Sequence, residues 1–180
     1  MANKQKNKGI YGGGVLPQGW VVKKMKEIIF QIRLGGNYEN AEGNSGIPVI
    51  KMGNLERGSI DINKIQCLPE GREYNSGDIL KKGDLLFNTR NTLDLVGKVA
   101  IWEDELPFAV YNSNLLKLNF DQSWVASNYF MNYVFNFHLT LSQLRKIATG
   151  TTSVAAIYSR DMEGVKFLLP PPGQTHQNLT

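Results

Sequence analysis

Cysteine, histidine and long apolar runs are what this 180-residue sequence has little of. Cys67 is its one cysteine, so an intramolecular disulfide is excluded and a cysteine-built metal site has no ligand set. His138 and His176 are the two histidines, and nothing in the sequence places them together. No apolar run approaches the ~20 residues of a membrane-spanning helix. The stretch MANKQKNKGIYGGG has no apolar core of the kind a secretory signal needs, so a cytoplasmic location without membrane contact is expected. Catalytic signatures are missing too. There is no Asp/Asn-Pro-Pro-aromatic methyltransferase motif, no dinucleotide glycine fingerprint and no nucleophile elbow. Asp78, Asp84, Asp94 and Asp104 are scattered through turn-like segments, where aspartate serves the backbone, rather than clustered as a metal-dependent nuclease requires. Gly12-Gly13-Gly14 lacks the Lys-Ser or Lys-Thr that would complete a phosphate loop. The expectation is a chain that is not itself an enzyme.

Charge of either sign is modest. The formal net charge is +4, and setting aside Lys4, Lys6 and Lys8 leaves +1. A polyanion-binding face must therefore come from local clustering, not from the overall balance. Residues 1–14 read as a disordered basic leader, and 173–180 as a tail without periodicity. Residues 15–172 are long enough to bury one core, with ordinary hydrophobic (42%) and charged (20%) fractions.

The stretch from Lys81 to Leu118 organises that core. Three runs in it read as strands: Asp84–Asn88, Val96–Trp102 and Asn114–Leu118. Lys82-Gly83-Asp84 before the first is a turn signal, because glycine permits positive φ and aspartate bonds nearby amides. Ile47–Met52 is a further strand, with Pro48 confined to its first position or to an edge. Val165–Leu169 is the last strand. Phe130, Val134, Phe137, Leu141, Leu144 and Ala148 follow at spacings of 4, 3, 4, 3 and 4. That stripe predicts one long helix over about 123–148, capped by Asp121 or Ser123, with Arg145 and Lys146 in its last turn. The fold expected is α+β: a single mixed domain with a twisted, largely antiparallel sheet, one long helix and long polar loops.

What the chain has in quantity is polar loops that combine Asn, Ser and Thr with an occasional cation. They lie at 51–57, 88–92, 111–114 and 149–160. Arginine pairs bidentately with guanine and asparagine with adenine, while hydroxyls and lysine mostly hold phosphate. The candidate DNA-contacting residues are Lys51, Asn54 and Arg57; Asn88, Thr89, Arg90, Asn91 and Thr92; and Thr151, Thr152, Ser153, Tyr158 and Arg160. Arg90 is the first choice for base readout. Any hairpin loop needs polar residues, so composition alone leaves the plain structural reading open.

Four segments carry a resemblance: LPQGW at 16–20, IPVIKMGNLERGSID at 47–61, KKGDLLFNTRNTLDLVGKVAIW at 81–102 and IATGTTSVAAIYSRDMEGVKFLLPPP at 147–172. The Gly-Asp-apolar-Phe-x-x-Arg strand (Gly83 to Arg90) and the closing Leu169-Pro170-Pro171 are the most specific. In these the chain resembles a target-recognition domain of the DNA specificity subunit of type I restriction–modification systems. The resemblance implies a non-catalytic domain reading one half of a bipartite duplex target. Its implied partners are double-stranded DNA, modification (methyltransferase) and restriction subunits, and a second recognition domain or a second copy. It implies no cofactor on this chain, with S-adenosylmethionine, ATP and magnesium confined to the partner subunits. The alternative is an assembly module that binds the modification subunit with little DNA affinity of its own.

Overall fold

The computed structural model describes residues 16–38 and 45–171; the expected leader and tail fall outside the described residues. In chain order the elements are β1 (Val21–Lys24), α1 (Met25–Ile28), β2 (Ile29–Leu34), β3 (Ile47–Ile50), β4 (Gln66–Leu68), β5 (Leu85–Asn88), β6 (Arg90–Asn91) and β7 (Val99–Ile101). There follow β8 (Val110–Tyr111), β9 (Leu115–Phe120), α2 (Asn128–Asn136), α3 (His138–Ile147), β10 (Thr149–Gly150), β11 (Ala155–Ala156), α4 (Ser159–Met162) and β12 (Lys166–Leu169). The mixed α+β character holds, but the strands form four small sheets instead of one. Their orders are β1-β12, β10-β11-β6, β2-β9-β5-β7 and β4-β3-β8. Among the described residues every strand pairing is antiparallel except β3 with β8, with isolated parallel bridges at Gly36–Asn112 and Gly58–Ala100.

The four-stranded sheet is central and covered on both faces, which is why its strands read as continuous apolar runs. Strand alternation sends Leu85, Phe87, Val99, Ile101, Leu116, Leu118 and Phe120 into one core, against α2, α3 and β12. Leu86, Ala100 and Leu115 go into a second core with Ile50, Leu55, Trp102 and Tyr111. The turn before β5 forms as its sequence dictates. Gly83 takes φ +86°, and the Asp84 carboxylate accepts from the Lys81 N–H at 3.0 Å. Asp84 also pairs with the half-buried Lys117 at 3.1 Å. Pro48 is the second residue of β3, and β8 joins β3 only from Val49 onward.

The helix expected over 123–148 is two helices. The chain breaks at Phe137, whose ψ of 143° is extended. Asn136, Phe137 and His138 are all weak helix formers, and the Asn136 amide is turned onto the carbonyls of Val99 (3.1 Å) and Asn132 (2.9 Å). The cap differs as well. Ser127 caps α2 through the Tyr129 N–H at 3.2 Å, whereas Asp121 and Ser123 make a separate turn upstream. The break shifts the buried face: Met131 and Phe135 are the fully buried apolar residues of α2, and Phe137 is 51% exposed.

A polar spacing missed in the apolar pattern docks α2. Asn128, Asn132 and Asn136 stand four apart on one face. Each donates its amide to a main-chain carbonyl: Gly83 (2.8 Å), Gly58 (2.9 Å) and Val99 (3.1 Å) respectively. Asn132 is the buried one that reaches the 56–60 turn, so Asn132→Ala is expected to lower stability by about 1 kcal/mol. It should also raise hydrogen exchange at Gly58, whose N–H bonds Val99 O. A urea melt with exchange mass spectrometry reads both; unchanged exchange around residue 58 would sever that link.

Candidate nucleic-acid interface

The small sheet β10-β11-β6 joins two loops far apart in sequence. Arg90 and Asn91 pair with Ala156 and Ala155, and Ala155 and Ala156 pair with Gly150 and Thr149. Two further main-chain bonds tie the loops beyond the ladder: Ile157 N–H to Thr89 O at 2.9 Å and Leu93 N–H to Thr152 O at 3.0 Å. The result is a projecting ribbon. It is anchored in the first core by Ala155 and Ile157, while Thr149 to Val154 are all exposed. Gly150 is required where it stands: its φ is +123°, and a Cβ there would lie 2.3 Å from Val154 O.

The candidate residues of these loops divide by burial. Asn88 is fully buried, and its side-chain oxygen accepts the Arg90 N–H at 3.1 Å. It therefore sets the backbone under Arg90 and does not reach the surface. Its Nδ2 has no partner among the described residues. Thr89 is half-buried and donates to Asn114 O at 2.8 Å, and Asn91 accepts from the Thr92 N–H at 2.8 Å. Arg90 and Thr92 are exposed. Among the described residues the Arg90 guanidinium has no hydrogen-bond or ion-pair partner. At the ribbon tip Thr151 and Ser153 share a hydroxyl contact of 3.1 Å, and Thr152 is exposed. Arg160 sits 5.6 Å from the ring of Tyr158, which is itself 48% exposed. The Arg160 contact to Asp161, at 3.7 Å, is long for a salt bridge and leaves most of that guanidinium in water.

A groove of about 750 Å³ runs between this ribbon and β2. Its rim carries Lys26, Arg90, Asn114, Tyr158 and Arg160, and Ile29, Ile32 and Leu116 are among the apolar residues lining it. Lys26 and Glu163 reach it from segments that no loop composition singled out, whereas Ser113 and Asn114 lie in the 111–114 loop whose composition did.

The 51–57 loop is mostly occupied elsewhere. Asn54 is buried; it accepts the Lys51 N–H at 2.9 Å and donates to Asp61 O at 3.0 Å, closing its own turn. The Lys51 ammonium contacts the Gln66 side chain on β4, and burial holds its pKa below the usual lysine value. Arg57 donates to Asp94 O at 3.2 Å, just past the 88–92 loop, and Glu56 pairs with Lys98 at 2.8 Å. Burial first, and then the charge of nearby Arg145, lower the Arg57 pKa from the usual arginine value. Of the four loops, those at 88–92 and 149–160 share one ribbon, the 51–57 loop approaches through Arg57, and the 111–114 loop lines the groove with Ser113 and Asn114.

A separate polar cluster is built around Asp78. Asp78 is buried and accepts from Arg33 at 3.0 Å and from the Tyr38 hydroxyl. Burial, then the hydrogen bond to Asp78, push the Tyr38 phenol up to about 12. That cluster ties the end of β2 to the 76–78 turn. Among the described residues no group of three or more His, Cys, Asp and Glu is placed to hold a metal ion, and no helix is long and apolar enough to cross a membrane.

Comparison with protein-family models finds no match. In sequence the chain is 26% identical over 162 residues to a protein of Methanocaldococcus jannaschii assigned as the type I restriction enzyme MjaX specificity subunit. The match covers 88% of this chain and 37% of that protein. Among solved structures it is similar to a chain from a type I R-M system described for its assembly and conformational transition (TM-score 0.62, 20% identity, 93% of this chain and 38% of that one). It is also similar to the HsdS subunit from Thermoanaerobacter tengcongensis (TM-score 0.59, 19% identity, 93% and 37%). A third likeness is to the type I restriction–modification S subunit from M. genitalium (TM-score 0.58, 14% identity, 88% and 35%). In sequence and in fold, this chain is similar to a little over a third of a type I restriction specificity subunit.

Proposed function

We propose that the chain is a DNA target-recognition domain of a type I restriction–modification specificity subunit, reading one half of a bipartite duplex site. The observation that carries this is the ribbon sheet. Two polar loops are fused into one hydrogen-bonded sheet, uncharged at its tip, with Arg90, whose guanidinium has no partner among the described residues, and the mostly free Arg160 at its base. The two-stranded β10–β11 hairpin at the ribbon's outer edge is of a size to enter a major groove, and arginine is the residue that most often reads guanine there. Arg90 is then the base reader, while the Arg160 guanidinium and the hydroxyls of Thr151, Thr152 and Ser153 are suited to positioning phosphate.

In this reading the chain supplies recognition and no catalysis. Modification and restriction subunits carry S-adenosylmethionine, ATP and magnesium, and the chain works in the cytoplasm. The second half-site belongs to a second recognition domain or a second copy.

A randomised-duplex selection at low salt tests the proposal. With a net charge near +1 outside the leader lysines, phosphate contacts are few, so binding is expected to be weak, and low salt retains what electrostatic attraction there is. The expected result is an enriched motif of about three to four base pairs. Binding of a modification subunit with no enrichment at low salt would replace this reading with the assembly module. The exposed Tyr133 and Phe137 on α2 and at the helix break are the surface such a module would use.

A further inference from the structure

Val154 sits at the tip of the ribbon and is 60% exposed. A lone surface valine needs no explanation, but four features make this one different. From Ile147 to Tyr158 the chain carries no charge and no side-chain amide, so the tip has only hydroxyls and this isopropyl group with which to touch anything. The tip is held rigid. The Thr151 N–H bonds Val154 O at 2.8 Å, the Val154 N–H bonds Thr151 Oγ1 at 3.2 Å, and the Leu93 N–H bonds Thr152 O at 3.0 Å. Leu93 and Leu95, in the loop bonded to the tip, are exposed too, at 36% and 40%. Val154 also lies two residues along the ribbon from Ala156, the partner of Arg90. Two residues of chain span at most roughly 7 Å, which is about two base-pair steps of a duplex.

We infer that Val154 is a specificity residue of the ribbon that reads the 5-methyl group of a thymine in the major groove, close to the base pair addressed by Arg90. The inference rests on the DNA-recognition reading above. Among the four bases thymine alone presents a methyl group in that groove, and apolar side chains read it by contact. A β-branched side chain with one preferred rotamer loses little entropy in making that contact, and the hydrogen-bonded tip fixes where it points.

The test uses the full 180-residue chain and the duplex enriched at low salt. Each thymine is replaced in turn by deoxyuridine, which deletes only the methyl group. At one position the wild-type chain should bind about fourfold more weakly, the ratio set by one buried methyl group. Val154→Ala should bind the unmodified duplex more weakly by a similar factor and be indifferent to uracil at that position. Arg90→Ala should bind weakly yet keep its sensitivity to uracil. Sensitivity to uracil retained by Val154→Ala, no sensitivity at any thymine in the wild type, or an enriched motif without thymine each overturns the inference and leaves the DNA-recognition reading standing. Absence of any enriched motif overturns both, and the two failures are thereby distinguished.

Discussion

Phe135→Ala is expected to lower the free energy of unfolding by about 3–5 kcal/mol. Phe135 is fully buried on α2, and its ring meets three others brought from distant parts of the chain. Phe87 of β5 lies at 6.1 Å in an edge arrangement, Phe120 of β9 at 6.4 Å and Phe167 of β12 at 4.9 Å. Edge and offset pairs of this kind are worth about 0.5–1.5 kcal/mol beyond the area they bury. The cavity left by alanine cannot readily collapse, because Phe87 and Phe120 belong to strands fixed by the ladder of the central sheet and α2 is held to the turns and β7 by its asparagines. Against a total of about 5–15 kcal/mol for a domain, this is a large fraction. A urea melt should show a lower midpoint at unchanged slope. Phe137→Ala, at the exposed helix break, should stay within about 0.5 kcal/mol of the parent. Equal losses for the two would contradict the helix break and restore a single continuous stripe.

That contrast marks where the sequence was legible. The central strands could be read because a sheet covered on both faces needs unbroken apolar runs, and Leu85 to Phe87 and Val99 to Ile101 provide them. The turn at Gly83-Asp84 could be read because its two residues act locally. The helical stripe was correct in period and wrong in detail. Periodicity counts apolar residues on a straight helix, and nothing in the count reveals that Asn136 spends its amide on β7 and ends the helix. The docking asparagines went unread for a related reason. Their spacing of four is visible, but their partners are carbonyls of distant turns.

The interface divides in the same way. Composition picked out the loops at 88–92 and 149–160, and the structure pairs them strand to strand. Composition could not say which amides would be consumed internally. Asn54 and Asn88 resemble surface readers in the sequence, yet both are buried and bonded to their own turns. Lys26 enters the groove from α1, a placement that only the tertiary fold determines. Val154 gave no polar signal at all.

Arg90→Ala should weaken binding to the selected half-site by about 1–3 kcal/mol and to random duplex by less. The substitution is structurally mild, since Arg90 is held by its main chain. Its N–H bonds Asn88 Oδ1 at 3.1 Å, and its strand pairs with Ala156. Alanine therefore removes the guanidinium and leaves the ribbon in place, so thermal stability should be unchanged. The guanidinium has no partner among the described residues, hence no internal ion pair has to be broken when it meets a base, and the full bidentate interaction is available for discrimination. Arg160→Ala is the informative companion. Arg160 lies against the Tyr158 ring on the same rim, as a side chain placed to hold phosphate would. Its loss should weaken all duplexes alike and lower the salt dependence by about one counterion. Affinity measured at several salt concentrations on selected and random duplexes separates the two roles. If Arg90→Ala loses equally on both duplexes, Arg90 is a second phosphate clamp, and base reading passes to the ribbon tip between Thr151 and Val154.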